Sequence, residues 1–200
     1  MLELRHPDFR RRGRDGNDRF VETLRGQLLI AGGALFDTNF RRAVVLIGEH
    51  NEGGALGVVL NRPAPYRIEE AVPPLASIVA PDDRLFFGGP VQPQSPVVLA
   101  EFEHPDFADL LVFGSIGFLT GEALPESREG IRRARVFAGY AGWGEGQLEE
   151  EIEQDSWILE PALEEDVFTP EPEALWSRIL RRKGSEYRLL STMPFDPSLN

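Results

Sequence analysis

AGYAGWGEGQLEEEI, residues 138–152, sets four glycines in eight positions directly ahead of a helical pattern. Glycines between a strand and a helix often cradle phosphate, so this corner decides between a nucleotide-binding fold and something else. A dinucleotide fingerprint needs G-x-G-x-x-G; Gly142 and Gly144 fill the first two places, but the third falls on Gln147. The Gly-Lys-Ser/Thr ending of a P-loop is absent altogether. Electrostatics point the same way. A helix start offers about half a positive charge, whereas Glu149, Glu150 and Glu151 place three full negative charges in the first turn. A like-charge contact at about 4 Å costs on the order of 4 kcal/mol at an effective dielectric near 20, against roughly 0.3–1 kcal/mol from the dipole. The stretch reads as a tight backbone corner with Trp143 as its apolar anchor.

Outward from that corner the chain is rich in strands. Apolar runs at 27–31, 42–50, 55–61, 84–87, 97–102, 110–113, 134–138 and 157–159 are strand candidates. Asn51-Glu52-Gly53-Gly54 joins the second and third as a hairpin link, because glycine tolerates the positive φ of compact loops. Continuous runs such as Ala43-Val44-Val45-Leu46-Ile47 predict strands covered on both faces. Three helices are expected. The first, over 68–80, is split by Pro73 and Pro74. The second, over 147–154, sets Leu148 and Ile152 on one face. The third, over 170–183, has Thr169 as N-cap, Pro170 at its first position and Gly184 at its end, with Leu175, Trp176, Ile179 and Leu180 as its buried stripe. Arg181, Arg182 and Lys183 then complement the negative end of the helix dipole.

A chain of 200 residues that is 42% hydrophobic fits one domain able to bury a core without staples. With no cysteine there is no disulfide, thiolate nucleophile or cysteine-ligated metal, which fits a reducing cytoplasm. No apolar run approaches the roughly 20 residues of a spanning helix, and the charged opening MLELRHPDFRRRG lacks the apolar core of a signal peptide. Residues 1–25 hold seven arginines against five acids, a net of +2, which leaves −14 on the rest of a chain whose total is −12. Residues 1–23 read as a flexible arginine-rich leader and 24–200 as the folded domain. Such an acidic body repels a phosphate backbone, so it is not expected to bind nucleic acid; the arm FRRRGR at 9–14 is the one segment suited to touch phosphate.

Catalytic patterns thin out on inspection. Phe113-Gly114-Ser115-Ile116-Gly117 puts Phe113 where a nucleophile elbow needs glycine. His6, His50 and His104 form neither H-x-H nor H-E-x-x-H. His50 could serve as a base, but a hydrogen-bonded turn histidine is the commoner case. No catalytic residue, metal site or cofactor is expected from these patterns, and neither is a membrane partner.

Three blocks carry a resemblance: GQLLIAGGALFDTNFRRAVVLIGEHNEGGALGVVLNRP (26–63), FFGGPV (86–91) and AGYAGWGEGQLEEEIEQDSWIL (138–159). In this order and spacing the chain, over about 24–184, resembles the YqgE/AlgH family of bacterial proteins. The resemblance implies a single α+β domain whose mainly antiparallel sheet is bent or bifurcated into a pseudo-barrel, with helices outside. It implies no established biochemical activity; some members carry a label as transcriptional regulators without a recognisable DNA-binding motif. The chain departs from the family in its arginine-rich leader and in reading Ala-Gly-Gly-Ala at 31–34, where proline is common.

If the loops of the three blocks converge, they form a candidate ligand site. Arg62 would clamp an anion, Trp143 would stack, Asn61 and Gln147 would hydrogen-bond, and Gly88 and Gly89 would line the turn. The alternative is structural: the glycines set turns, Arg62 pairs with an acid and Trp143 is core. Two functions follow. One is a non-enzymatic cytoplasmic binding or regulatory protein acting on a protein or small-molecule partner; the other is a small enzyme or metabolite sensor with a cleft around Arg62 and Trp143.

Overall fold

The computed structural model of the chain describes residues 23–33, 35, 37–119 and 129–193. The expected leader with its FRRRGR arm, Thr23 excepted, and Ala34 of the Ala-Gly-Gly-Ala loop lie outside the described residues. Among the described residues ten strands share one sheet: β1 (Gln27–Ala31), β2 (Val44–Asn51), β3 (Gly54–Val59), β4 (Pro63–Arg67), β5 (Arg84–Phe87), β6 (Val91–Phe102), β7 (Leu110–Phe113), β8 (Ile116–Leu119), β9 (Ile131–Trp143) and β10 (Trp157–Pro161). The main path runs β10-β1-β2-β3-β9-β6-β8-β7, antiparallel throughout, with β4 and β5 as a side branch. Only β5 against β9 is parallel among the described strands. No pairing joins β7 to β10, so the sheet is bent and bifurcated but does not close into a barrel.

Alternation along the strands explains the bend. Leu28, Ile30, Val44, Leu46 and Val58 face a core that they share with Val112, Ile116 and Phe118 from the opposite end of the path. Leu29, Val45 and Ile47 point the other way, into a core under Trp143 and Trp157. Both faces are therefore covered, as the unbroken apolar runs predict. Each such side chain contributes about 1.5–3 kcal/mol by leaving water, and the sheet folds over to collect them.

The bifurcation sits on β9. One edge pairs with β6; the other takes β5 at Phe137 and Ala138, then β3 from Ala141 to Trp143. Gly88 occupies the fork, donating to the Ala138 carbonyl and accepting from the Val59 amide, each at 2.9 Å. A Cβ at Gly88 would stand 2.1 Å from the Gly139 carbonyl oxygen, and Gly139 itself has φ +70°. A branched sheet needs backbones closer than side chains permit, which is why glycine stands there.

Among the described residues five helices pack on the faces: α1 (Ile68–Ala71), α2 (Gln147–Glu153), α3 (Glu164–Val167), α4 (Leu175–Lys183) and α5 (Arg188–Thr192). The helix expected over 68–80 is indeed divided, α1 giving way at Pro73 to a 3₁₀ turn, Pro73–Ile78. The third expected helix needs correction. Thr169 is not its N-cap and Pro170 not its first residue: α4 begins at Leu175 after a 3₁₀ turn over Pro172–Ala174. Pro172 bars Glu171 from helical dihedrals, leaving it at φ −120°, ψ 67°. The Thr169 hydroxyl instead accepts from Glu171 N at 3.2 Å and Arg178 Nη1 at 2.8 Å. The stripe of Leu175, Trp176, Ile179 and Leu180 is buried as expected.

Candidate functional site

Asn61 and Arg62 leave β3 and tie down the segment before β2. Asn61 Oδ1 accepts from Val44 N at 2.9 Å while its Nδ2 donates to Arg42 O at 2.8 Å. The guanidinium of Arg62 reaches the carbonyls of Thr38 and Arg41 at 3.2 and 3.1 Å. Burial lowers the Arg62 pKa, with Asp37 opposing. Phe40, on this tethered segment, stacks on Trp143 with ring centroids 6.0 Å apart. Trp143 and Trp157 meet edge-to-face at 5.9 Å.

Around the opening corner, the acids do something that charge counting missed. Glu151 Oε2 accepts both indole N–H groups, from Trp143 at 2.9 Å and Trp157 at 2.7 Å, and its Oε1 accepts from Gln147 at 2.9 Å. Glu149 faces His50 Nε2 at 2.7 Å. His50 Nδ1 accepts from Leu24 N at 3.1 Å, which leaves Nε2 to carry the proton toward Glu149. The Gly144 amide is taken by Gln147 Oε1 at 3.1 Å, not by a carboxylate. Two of the three acids thus serve side chains instead of the helix start. Of the six named residues, Asn61 and Arg62 are joined to Trp143 through the 37–42 segment, Gln147 joins Trp143 through Glu151, and Gly88 and Gly89 sit at the sheet fork.

A second feature was not legible in the sequence. A cavity of about 420 Å³ opens where β4, β5 and β9 meet the loop before α4, with Arg84, Arg133, Arg135, Phe86, Phe168 and Thr169 on its wall. That volume lies within the roughly 300–1,000 Å³ of small-molecule sites. Arg133 lies 4.4 Å over the Phe168 ring and Arg135 4.5 Å over Phe86, cation–π contacts that help to place both guanidiniums. Arg135 Nη2 donates to Thr169 O, while its buried Nη1 has no hydrogen-bond partner among the described residues. Burial lowers the Arg135 pKa to about 10; Asp83 opposes this and the like charge of Arg133 adds to it. The signal lay in Ile131-Arg132-Arg133-Ala134-Arg135-Val136-Phe137, where period two puts Arg133 and Arg135 on the same face as the buried Phe137. Among the described residues no group of three or more histidines or acids could hold a metal, and no helix is long and apolar enough to cross a membrane.

These observations define an α+β protein with one forked, mainly antiparallel sheet and an arginine-walled cavity beside the fork. The AlgH-like family model, DUF179, matches residues 28–188, and the chain belongs to that family. A UPF0301 protein of Streptomyces avermitilis is 43% identical over 187 residues, covering 90% of this chain and 97% of the relative. Another from Mycobacteroides abscessus is 42% identical, covering 88% and 87%. A crystal structure from Corynebacterium diphtheriae superposes with TM-score 0.76 at 30% identity, covering 84% of this chain and 91% of that one. The solution structure of AlgH from Pseudomonas aeruginosa does so with TM-score 0.66 at 28% identity, covering 90% and 98%.

Proposed function

We propose that this protein is a non-enzymatic binding or regulatory protein of the bacterial cytoplasm, acting through a partner or a bound small molecule. The cavity beside Arg135 is the observation that carries this reading. Its polar wall is made of guanidiniums and carboxylates, groups that hold ligands, and the Thr169 hydroxyl oxygen on the wall already accepts two hydrogen bonds. Regulation through direct contact of the folded body with DNA finds no support in a net charge of −14 beyond residue 25. The test is a thermal-shift screen of the purified chain against metabolites, followed by NMR of each hit after incubation. Saturable stabilisation with the ligand returned intact is expected; turnover of the ligand would refute the reading.

A second reading, an enzyme or metabolite sensor at Arg62 and Trp143, draws on the half-buried Arg62 and its lowered pKa. The stacking of Phe40 on Trp143 and the carbonyl partners of Arg62 favour the structural alternative. Hits that vanish in Arg62→Ala but persist in Arg135→Met would reverse that preference.

A further inference from the structure

We propose that the cavity beside Arg135 binds a small metabolite through an oxyanion head group, a carboxylate or a phosphate; the assignment rests on reading the protein as a binding protein. Arg133 and Arg135, two apart on β9, share a face, and each guanidinium sits over an aromatic ring. Two like charges are thereby brought together in a partly desolvated place. Arg133 finds an acid, donating through Nε to Glu101 Oε2. Arg135 finds a carbonyl for Nη2 and nothing for Nη1. Arg84, Arg133 and Arg135 all line the cavity, so an oxygen entering it meets guanidinium donors on its wall.

The acids of the wall are already engaged. Asp82 pairs with Arg67 at 2.5 Å, Asp83 accepts from Ala80 N at 2.9 Å, and Glu173 lies 3.8 Å from Arg84. An oxyanion would relieve the repulsion between Arg133 and Arg135, and the planar fork of a guanidinium suits a carboxylate or phosphate alike. The cavity is larger than such a head group, and Ile68, Pro63 and Pro172 give it apolar wall. The ligand therefore has an apolar or planar body behind its charge.

Isothermal titration calorimetry of the full chain, in a chloride buffer of low ionic strength, tests this with four probes: inorganic phosphate, phenyl phosphate, succinate and benzoate. At least one anion class is expected to bind saturably, with its phenyl-bearing member the tighter. Arg135→Met should weaken that binding tenfold or more, and Arg62→Ala should leave it unchanged. Phosphate-only or carboxylate-only binding then separates the two head groups. Equal affinity in the wild type and Arg135→Met, or no binding by any probe, overturns the assignment and leaves a protein-partner reading of the molecule standing. Release of phosphate from phenyl phosphate, read by phosphorus NMR and lost in Arg135→Met, keeps the oxyanion site but removes the non-enzymatic reading, so the two fail separately.

Discussion

Glu151 Oε2 stands 2.9 Å from the indole nitrogen of Trp143 and takes its hydrogen bond. Because the same oxygen also takes the Trp157 indole, one half-buried carboxylate fastens α2 to the ends of two strands. Glu151→Ala leaves both indole donors unpaired and should lose about 2–4 kcal/mol of stability. Glu151→Gln keeps a carbonyl acceptor and should lose about half as much. Urea titration followed by tryptophan fluorescence measures both; unchanged midpoints would show that the indoles find water instead.

Asp166 is fully buried on α3, and both of its oxygens are held by Arg182 at 3.0 and 2.8 Å. Removing Asp166 takes the buried acceptor from Arg182, Arg178 and the Leu163 amide together, so Asp166→Ala should cost about 3–5 kcal/mol. Replacing both residues, as Asp166→Leu with Arg182→Met, should recover much of that loss. A double-mutant cycle by chemical denaturation checks the coupling.

At the sheet fork, Gly88→Ala forces a Cβ to 2.1 Å from the Gly139 carbonyl oxygen, and neither backbone has room to retreat. The expected loss is at least about 3 kcal/mol, seen as a lowered Tm or an insoluble product. Gly146→Ala is the control. It has φ +70° but nothing within 4 Å of the added carbon, so it should cost only about 1 kcal/mol.

Arg135 should destabilise the unliganded fold. Burial makes the folded chain the weaker proton binder at this group, lowering its pKa to about 10 from the usual guanidinium value. Below about pH 10 the penalty is present in full; above it the unfolded chain holds more protons, so the contribution of this group to stability rises with pH. Arg135→Met should therefore be more stable than the wild type at pH 7 by about 1–2 kcal/mol, and the gap should narrow above pH 10. Paired urea titrations at pH 7 and 10.5 measure the gap.

Duplex DNA should not be retained by a chain starting at Thr23 at physiological salt, because the body beyond residue 25 carries −14. Fluorescence anisotropy across a salt series, with and without residues 1–22, checks this. Binding that survives the deletion would contradict the charge argument.

The legible parts of this fold are those set by neighbours in sequence. The hairpin at 51–54 follows from its glycines, the break in the first helix from Pro73, and the end of α4 from Gly184. β4 went unread because Pro63 and Pro65 argue against a strand, yet it lies on a branch edge where a missing N–H costs little. The strand expected over 134–138 extends to both sides in β9: Arg132 and Arg133 hid its start, and the glycines of 139–142, read as a corner, hid its run to Trp143. Asn61, Arg62 and Trp143 were marked by their motifs, though their partners were not. The cavity draws on β4, β5, β9 and the loop before α4, and nothing local says that these segments meet.

The sheet fork also fixes the order in which the chain can become a protein. β3 gains its second neighbour only with Ala141–Trp143 and β1 only with Trp157–Pro161, so a nascent chain cut before Ile131 holds the β1-β2-β3 and β6-β8-β7 pairings but not the strand that joins them. Such late closures slow folding and leave apolar strands bare while the ribosome finishes. The two parts of the sheet are joined only by β9, and a truncation anywhere upstream of it should yield a client for chaperones.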